Sequence, residues 1–196
     1  MGRILRALVL LTLVASCGGG GGGDVSSRDL DNACTIVKKN PGFLRAFRKA
    51  ERRWGVPVHV QMATIYQESK FKAEARTPLR FALGVIPVGR QSSAYGFSQA
   101  LDGTWKEYKQ DAGRANARRN NINDATDFMG WYMSGTKERT GVAMSDTRNQ
   151  YLAYHEGRSG YLRGTYRRKA WLVRIAGEVA DRGVMYQQQL ARCRAR

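Results

Sequence analysis

Glu68 is the side chain in this sequence best suited to acid–base chemistry. It lies in the run 63–69, Ala-Thr-Ile-Tyr-Gln-Glu-Ser, near the predicted end of a helix and on the flank of its apolar stripe. Because burial disfavours the charged form of a carboxyl group, a raised pKa would let Glu68 donate a proton near neutral pH. A structural role stays open, since Lys70 and Lys72 follow closely and perturbed acids also occur in ion-pair networks.

Two further segments follow Glu68 in order. They are 94–99, Ala-Tyr-Gly-Phe-Ser-Gln, and 153–157, Ala-Tyr-His-Glu-Gly. Together with Glu68 and Ser69, this ordered set resembles the catalytic domain of soluble lytic transglycosylases, which has a goose-type lysozyme-like fold. The resemblance covers roughly residues 45–160. It implies that Glu68 is the single general acid and base acting on the glycan strands of peptidoglycan.

The resemblance also implies a substrate groove lined by residues of all three motifs. Its expected members are Ser69, Tyr95, Gly96, Phe97, Ser98, Gln99, Tyr154 and His155. Within this set, Gly96 is expected to let the glycan approach closely, and the Tyr154 hydroxyl is expected to reach the catalytic acid. Two positions depart from the family pattern, because Ser98 replaces a methionine and His155 replaces an asparagine.

The implied reaction needs only one carboxylate, whereas most glycosidases use two. Glu68 would protonate the glycosidic oxygen and then, once ionised, remove the proton of the C6 hydroxyl to close a 1,6-anhydro ring. Glu156 is the only obvious second carboxylate, and its place in the variable slot of its motif argues against a catalytic role. A hydrolytic, lysozyme-type muramidase and a non-catalytic wall-binding lipoprotein remain alternatives, and an inhibitor or scaffold with a drifted groove is a weaker one.

The elements that must position these residues are predicted to be helices. Apolar periodicity and capping residues place them at about 29–39, 41–54, 57–69, 99–111, from 123 or 124 onward, 146–154 and 167–190. Alternating strand patterns are nearly absent, so the sequence predicts an all-α domain with little or no β structure. The aromatic residues Trp131, Tyr132 and Trp171 are expected in its core. Residues 70–95 are predicted to be irregular, with the apolar centre 81–88 acting as a wall of the cleft.

The N-terminus has the features of an export signal. Residues 1–16 combine two arginines with an apolar run, and the segment 14–17, Val-Ala-Ser-Cys, resembles a lipoprotein lipobox. We therefore expect a signal peptide at 1–16, a lipidated Cys17 with a glycine-rich tether at 17–28, and one catalytic domain at 29–196. Gly18 after the cysteine implies the periplasmic face of the outer membrane. An ordinary secretory signal with an incidental cysteine is the alternative.

Export also determines how the other cysteines and the charge are interpreted. In an oxidising compartment Cys34 and Cys193 are expected to pair, although two free thiols are the alternative. The formal net charge of +17 predicts polyanionic surroundings. For an exported protein, the carboxylates of peptidoglycan are a better candidate partner than nucleic acid. The alternative is that the charge holds the tethered domain against anionic lipid headgroups. No metal or cofactor is expected, because His59 and His155 are isolated.

Overall fold

The structure, a computed structural model, describes residues 24–194 of the chain. This part is mostly helical, as the sequence predicts, and contains one two-stranded sheet. Its elements are α1 (Ala33–Lys39), α2 (Pro41–Trp54), α3 (Val58–Ser69), β1 (Leu79–Ala82), β2 (Ile86–Arg90), α4 (Asp102–Asp111), α5 (Ile122–Thr140), α6 (Thr147–Glu156), α7 (Arg158–Leu162), the 3-10 helix Thr165–Arg168, and α8 (Ala170–Arg194).

The helix boundaries follow from local chemistry. Pro41 occupies the first turn of α2, where its missing N–H leaves no bond unmade. That helix ends at Gly55, which adopts the left-handed conformation with φ 78°. The Asn121 side chain caps α5 and the Asp146 side chain caps α6 by accepting hydrogen bonds from backbone N–H groups of the first turn. Sequence signals of this kind therefore locate the helices to within a few residues.

Helix α3 lies at the centre of the molecule and carries Glu68. It contacts α2, α5, α6 and α8, and every residue from Val60 to Ile65 is buried. A helix enclosed on all sides is apolar around most of its circumference rather than along one stripe. Its central position fixes the place of Glu68 relative to α6, which carries the third motif.

Apart from the buried residues around α3, a cluster of aromatic side chains joins α4 to α5. Trp105, Tyr108, Phe128 and Tyr132 pack together, and Trp131 lies against them. Trp131 and Tyr132 thus belong to packed structure, as expected. The expectation is wrong for Trp171, whose side chain is half exposed on α8.

The segment predicted to be irregular contains a β-hairpin. Strands β1 and β2 pair antiparallel, with a register shift between Arg80 and Phe81. Neither strand packs against a helix of residues 24–194. The apolar centre 81–88 is exposed along most of its length, so it does not form a packed wall of a cleft.

The two ends of the described chain are anchored to the body. Cys34 and Cys193 form a disulfide that joins α1 to α8, with their Cα atoms 5.9 Å apart. Val25 is buried in the core, and the Asp24 carboxylate accepts a hydrogen bond from the Ala73 N–H at 3.1 Å. Residues 24–28 therefore belong to the folded unit rather than to the tether.

The predicted signal peptide and Cys17 lie outside the described residues. Within residues 24–194 no helix is both long and apolar enough to span a membrane.

Candidate active site

Glu68 is the next-to-last residue of α3, at a sharp turn of the backbone. Lys70 and Phe71 both have positive φ, 52° and 61°, a conformation that costs non-glycine residues about 1–2 kcal/mol each. Phe71 is fully buried and stacks on Phe43, with ring centroids 6.1 Å apart. Burial of this ring holds the strained turn, and the turn ends the helix immediately after Glu68 and Ser69.

The surroundings of Glu68 favour its protonated form. Burial raises the pKa of Glu68 to about 7, against the opposing effects of a hydrogen bond from the Tyr151 side chain and the positive charge of Lys70. The residue nevertheless keeps partial access to solvent. A carboxyl group that holds a proton near pH 7 and can still be reached from outside is suited to general acid catalysis.

Two tyrosines of α6 flank this carboxyl group. The Tyr151 side chain lowers the pKa of Glu68, whereas the Tyr154 hydroxyl donates to the Ser98 carbonyl at 2.6 Å. Burial and the nearby Glu68 charge both raise the pKa of Tyr151 and of Tyr154, so each hydroxyl keeps its proton. Tyr151 thus stands beside Tyr154 as a second tyrosine whose side chain acts on Glu68. Residues three apart on a helix share a face, and that spacing is the signal that could have identified Tyr151.

The middle motif forms a packed turn. Gly96, Phe97 and Ser98 are buried, so the structure places them inside the protein, and their expected contact with substrate stays a prediction. Gly96 has φ 78°, and a Cβ placed there would lie 2.2 Å from the Arg119 carbonyl oxygen. The neighbouring backbone by itself therefore requires glycine at this position. The Phe97 ring packs edge-on against Phe43, with centroids 5.6 Å apart.

The remaining polar groups of this turn are also engaged within the protein. The Gln99 amide nitrogen donates to the carbonyl oxygens of Ala75 and Gly96, at 2.9 and 2.8 Å. Gln99 therefore ties the turn to the segment that follows α3, and it stays partly exposed, so its expected place in the groove remains a prediction. The Ser98 hydroxyl is buried and has no hydrogen-bond partner within the described part of the chain.

Tyr95 lies at the surface in a network of charged groups. Its hydroxyl donates to Glu74, and its ring faces the guanidinium groups of Arg76 and Arg119, at 4.2 and 5.4 Å from the centroid. Glu74 also accepts a hydrogen bond from the Asn120 amide at 2.8 Å, and these two hydrogen bonds lower its pKa. Of the residues in the middle motif, Tyr95 keeps the clearest access for a ligand.

Ser69 of the first motif and His155 of the third motif differ in their exposure to solvent. Ser69 is buried, and its hydroxyl donates to the Ile65 carbonyl at 3.2 Å, so the structure does not place it in a groove. His155 is exposed, and its ring meets the edge of Trp171 with centroids 5.3 Å apart. Its ring also lies 6.5 Å from that of Tyr151, which places His155 beside the residue that contacts Glu68.

Glu156 has a structural role. Its carboxylate accepts hydrogen bonds from the Lys169 ammonium at 2.7 Å and from the Thr165 hydroxyl at 2.5 Å. Burial by itself would raise the pKa of Glu156, but the hydrogen bonds from Lys169, Thr165 and His155 outweigh it and lower the pKa to about 2. A carboxylate that is always ionised and held by a lysine is not suited to act as a second catalytic group.

A cavity of about 1000 Å³ lies on another part of the molecule, beside the disulfide between α1, α2 and α8. None of its lining residues belongs to the three motifs, so it is not the candidate active site. Within residues 24–194, no group of three or more His, Cys, Asp or Glu side chains is arranged to hold a metal ion.

Comparison with protein families identifies the chain. The model of the transglycosylase SLT domain matches residues 5–193. The chain belongs to the transglycosylase SLT domain family. No curated protein and no solved structure gives a significant match. Membership makes this SLT domain, at the level of the family, a lytic transglycosylase that acts on peptidoglycan.

Proposed function

We propose that this SLT domain cleaves the β-1,4 bond between MurNAc and GlcNAc without water and leaves 1,6-anhydro-MurNAc ends. Glu68 acts first as the acid and then as the base. What carries the proposal is a carboxyl group that lies at the end of a buried helix, keeps partial access to solvent and has a pKa raised by burial to about 7. A group that is half protonated near neutral pH is equally able to give and to take a proton.

In the first step neutral Glu68 donates its proton to the glycosidic oxygen. The bond between this oxygen and C1 of MurNAc breaks, and GlcNAc leaves with a free 4-hydroxyl group. Positive charge develops at C1, and the sugar's N-acetyl group or the dipoles of the site stabilise it. Glu68 is left ionised, and the hydrogen bond from Tyr151 stabilises that carboxylate.

In the second step the Glu68 carboxylate takes the proton of the C6 hydroxyl of the same MurNAc. The C6 oxygen bonds to C1 and closes the anhydro ring, and Glu68 regains its starting protonation. The only other carboxylate of the three motifs, Glu156, is occupied by Lys169. Activation of a water molecule by a second carboxylate, as in two-carboxylate glycosidases, therefore has no support from that residue.

Mass analysis of digested cell-wall sacculi tests this proposal. We expect muropeptides that end in anhydro-MurNAc, whose mass is lower than that of the hydrolytic product by one water. Glu68→Gln should abolish release, while Glu156→Gln, the same substitution outside the reaction, should retain it. Products with ordinary reducing ends would make the protein a hydrolase. Binding to sacculi without any release by the unmodified protein would make it a wall-binding module.

We further propose that the protein is a lipoprotein anchored through Cys17 at the periplasmic face of the outer membrane. The lipobox-like segment 14–17 and the six glycines that follow Cys17 support this location. Metabolic labelling with a radioactive fatty acid, followed by membrane fractionation, tests it. Label should appear in the outer-membrane fraction and disappear in Cys17→Ser. Label retained by that variant would exclude Cys17 as the lipidation site.

A further inference from the structure

The hairpin of β1 and β2 exposes an unusual amount of apolar side chain. Ten large apolar residues lie exposed within residues 24–194, and six of them belong to this hairpin. They are Leu79, Phe81, Leu83, Val85, Ile86 and Val88. Because neither strand packs against a helix in this part of the chain, the side chains are open to an external partner. Grouped exposure of this kind marks an interaction surface.

The tip of the hairpin concentrates this exposure. Leu83 and Val85 are 89% and 76% exposed, and Gly84 lies between them. Leu83 and Gly84 have positive φ, 50° and 75°. In tight hairpin turns that face water such positions are usually occupied by Asn, Asp or Gly. A leucine in this conformation at the most exposed point indicates that the tip meets an apolar environment.

Basic residues lie at the other end of the hairpin. Arg80 pairs with Gly89, and Arg90 pairs with Leu79, so both arginines are exposed on the side nearer the body. The sequence from 75 to 101 contains no acidic residue. An apolar edge flanked by cations is the arrangement with which proteins bind the interface of membranes that contain anionic lipids.

The chain enters the fold close to the base of this hairpin. The hydrogen bond from the Ala73 N–H to Asp24 places the start of the described chain six residues before β1. Cys17 is seven residues before Asp24, and an extended chain of that length spans at most about 25 Å. The six residues from Ala73 to Leu79 add at most about 21 Å. A lipid on Cys17 would therefore keep the base of the hairpin within about 50 Å of the bilayer surface, which is close enough for the hairpin to reach it.

We propose that the hairpin is a second membrane contact, which inserts its tip into a bilayer containing anionic lipids while Arg80 and Arg90 face the headgroups. The inference rests on the proposed anchor at Cys17 for bringing the domain to the membrane, and it does not depend on the catalytic reaction. Two contacts, the lipid and the hairpin, fix the orientation of the domain relative to the surface, which a flexible glycine tether alone does not.

The test is a fluorophore placed at the tip. Leu83→Cys in the full lipidated protein is labelled with nitrobenzoxadiazole and reconstituted into vesicles of phosphatidylethanolamine and phosphatidylglycerol. We expect blue-shifted emission that is quenched by lipids carrying a nitroxide on the acyl chain. Val184→Cys, at an exposed apolar position of α8, is the matched control and should report water. The same emission wavelength at both positions, whether typical of water or of lipid, would overturn the proposal.

Removing the positive charge of Arg80 gives an independent test with the same fluorescent label. Arg80→Gln should lower the ratio of inserted to free hairpin about five-fold, because one basic residue near an anionic surface contributes about that factor. Neutral phosphatidylcholine vesicles should remove the difference between the two proteins. A blue shift caused by sacculi in the absence of vesicles would assign the hairpin to glycan and contradict membrane insertion. Two separate measurements control for the earlier proposals. Digestion of sacculi in detergent reports catalysis, and the mass of the peptide that contains Cys17 reports lipidation. Failure of either is therefore distinguishable from failure of this inference.

Discussion

Replacing Glu68 by glutamine should abolish release of muropeptides and at the same time stabilise the fold at high pH. The pKa of Glu68 is about 7 in the folded protein, against an ordinary value of 4.5 that applies in the unfolded chain. Ionising this group in the folded state therefore costs about 3 kcal/mol more than in the unfolded chain. Because the residue keeps some access to solvent, we take about 2–3 kcal/mol as the effect.

The sign of the effect depends on pH in a defined way. Below pH 4.5 both folded and unfolded chains hold the proton, so the substitution should leave stability nearly unchanged. Between pH 4.5 and 7 the unfolded chain ionises first, and the unmodified protein loses stability relative to the variant. Above pH 7 the difference is constant. A glutamine there should raise the melting temperature by roughly 4–12 °C for a domain of this size.

Thermal unfolding of both proteins at pH 4, 6 and 8 measures this difference. Glu138→Gln, the same substitution at an exposed position of α5, controls for the change in net charge. A gain that is equal at all three pH values would refute the raised pKa, as would a loss of stability at pH 8. Release of muropeptides by the unmodified protein should likewise decline above pH 7, since the acid form of Glu68 is then depleted.

Three further predictions concern residues around this site. Tyr151→Phe removes the hydrogen bond that favours ionised Glu68, so the alkaline limb of the activity profile should move to higher pH; an unchanged profile would exclude that contact. Glu156→Gln should cost about 1–3 kcal/mol in denaturant unfolding at pH 7 while retaining anhydro-muropeptide release, and loss of release in folded protein would contradict its structural role. Gly96→Ala should destabilise clearly more than Gly55→Ala in the same assay, because both glycines have φ 78° but only the first meets backbone atoms; equal losses would argue against that clash.

The helical part of the fold could be predicted from the sequence because its signals are local. Pro41, Gly55 and Asp146 mark helix ends through their own backbone and side-chain chemistry. The hairpin was missed because Gly84, Pro87 and the apolar residues around them do not alternate with polar ones. Its strands pair with each other outside any core, so no buried face imposes a period of two on the sequence.

The surroundings of Glu68 follow more closely from the sequence than those of the other site residues do. Two sequence features indicate Glu68 as the candidate acid: its position on an apolar helix and the order of the three motifs. The roles of Gly96, Phe97 and Gln99 depend instead on contacts with distant segments, such as the Arg119 backbone and the Ala75 carbonyl. Tyr151 lies outside the motifs, and its contact with Glu68 follows from how α6 packs against α3.

The disulfide between Cys34 and Cys193 also determines how the domain bears mechanical load. If the protein is pulled between Asp24 and the end of α8, only residues 24–33 can be drawn out before tension reaches Cys34. From there the covalent bond passes the force directly to the end of α8. For this pair of pulling points, residues 35–192, which include Glu68, lie outside the load path. The domain should keep its active site folded while its first turns are stretched.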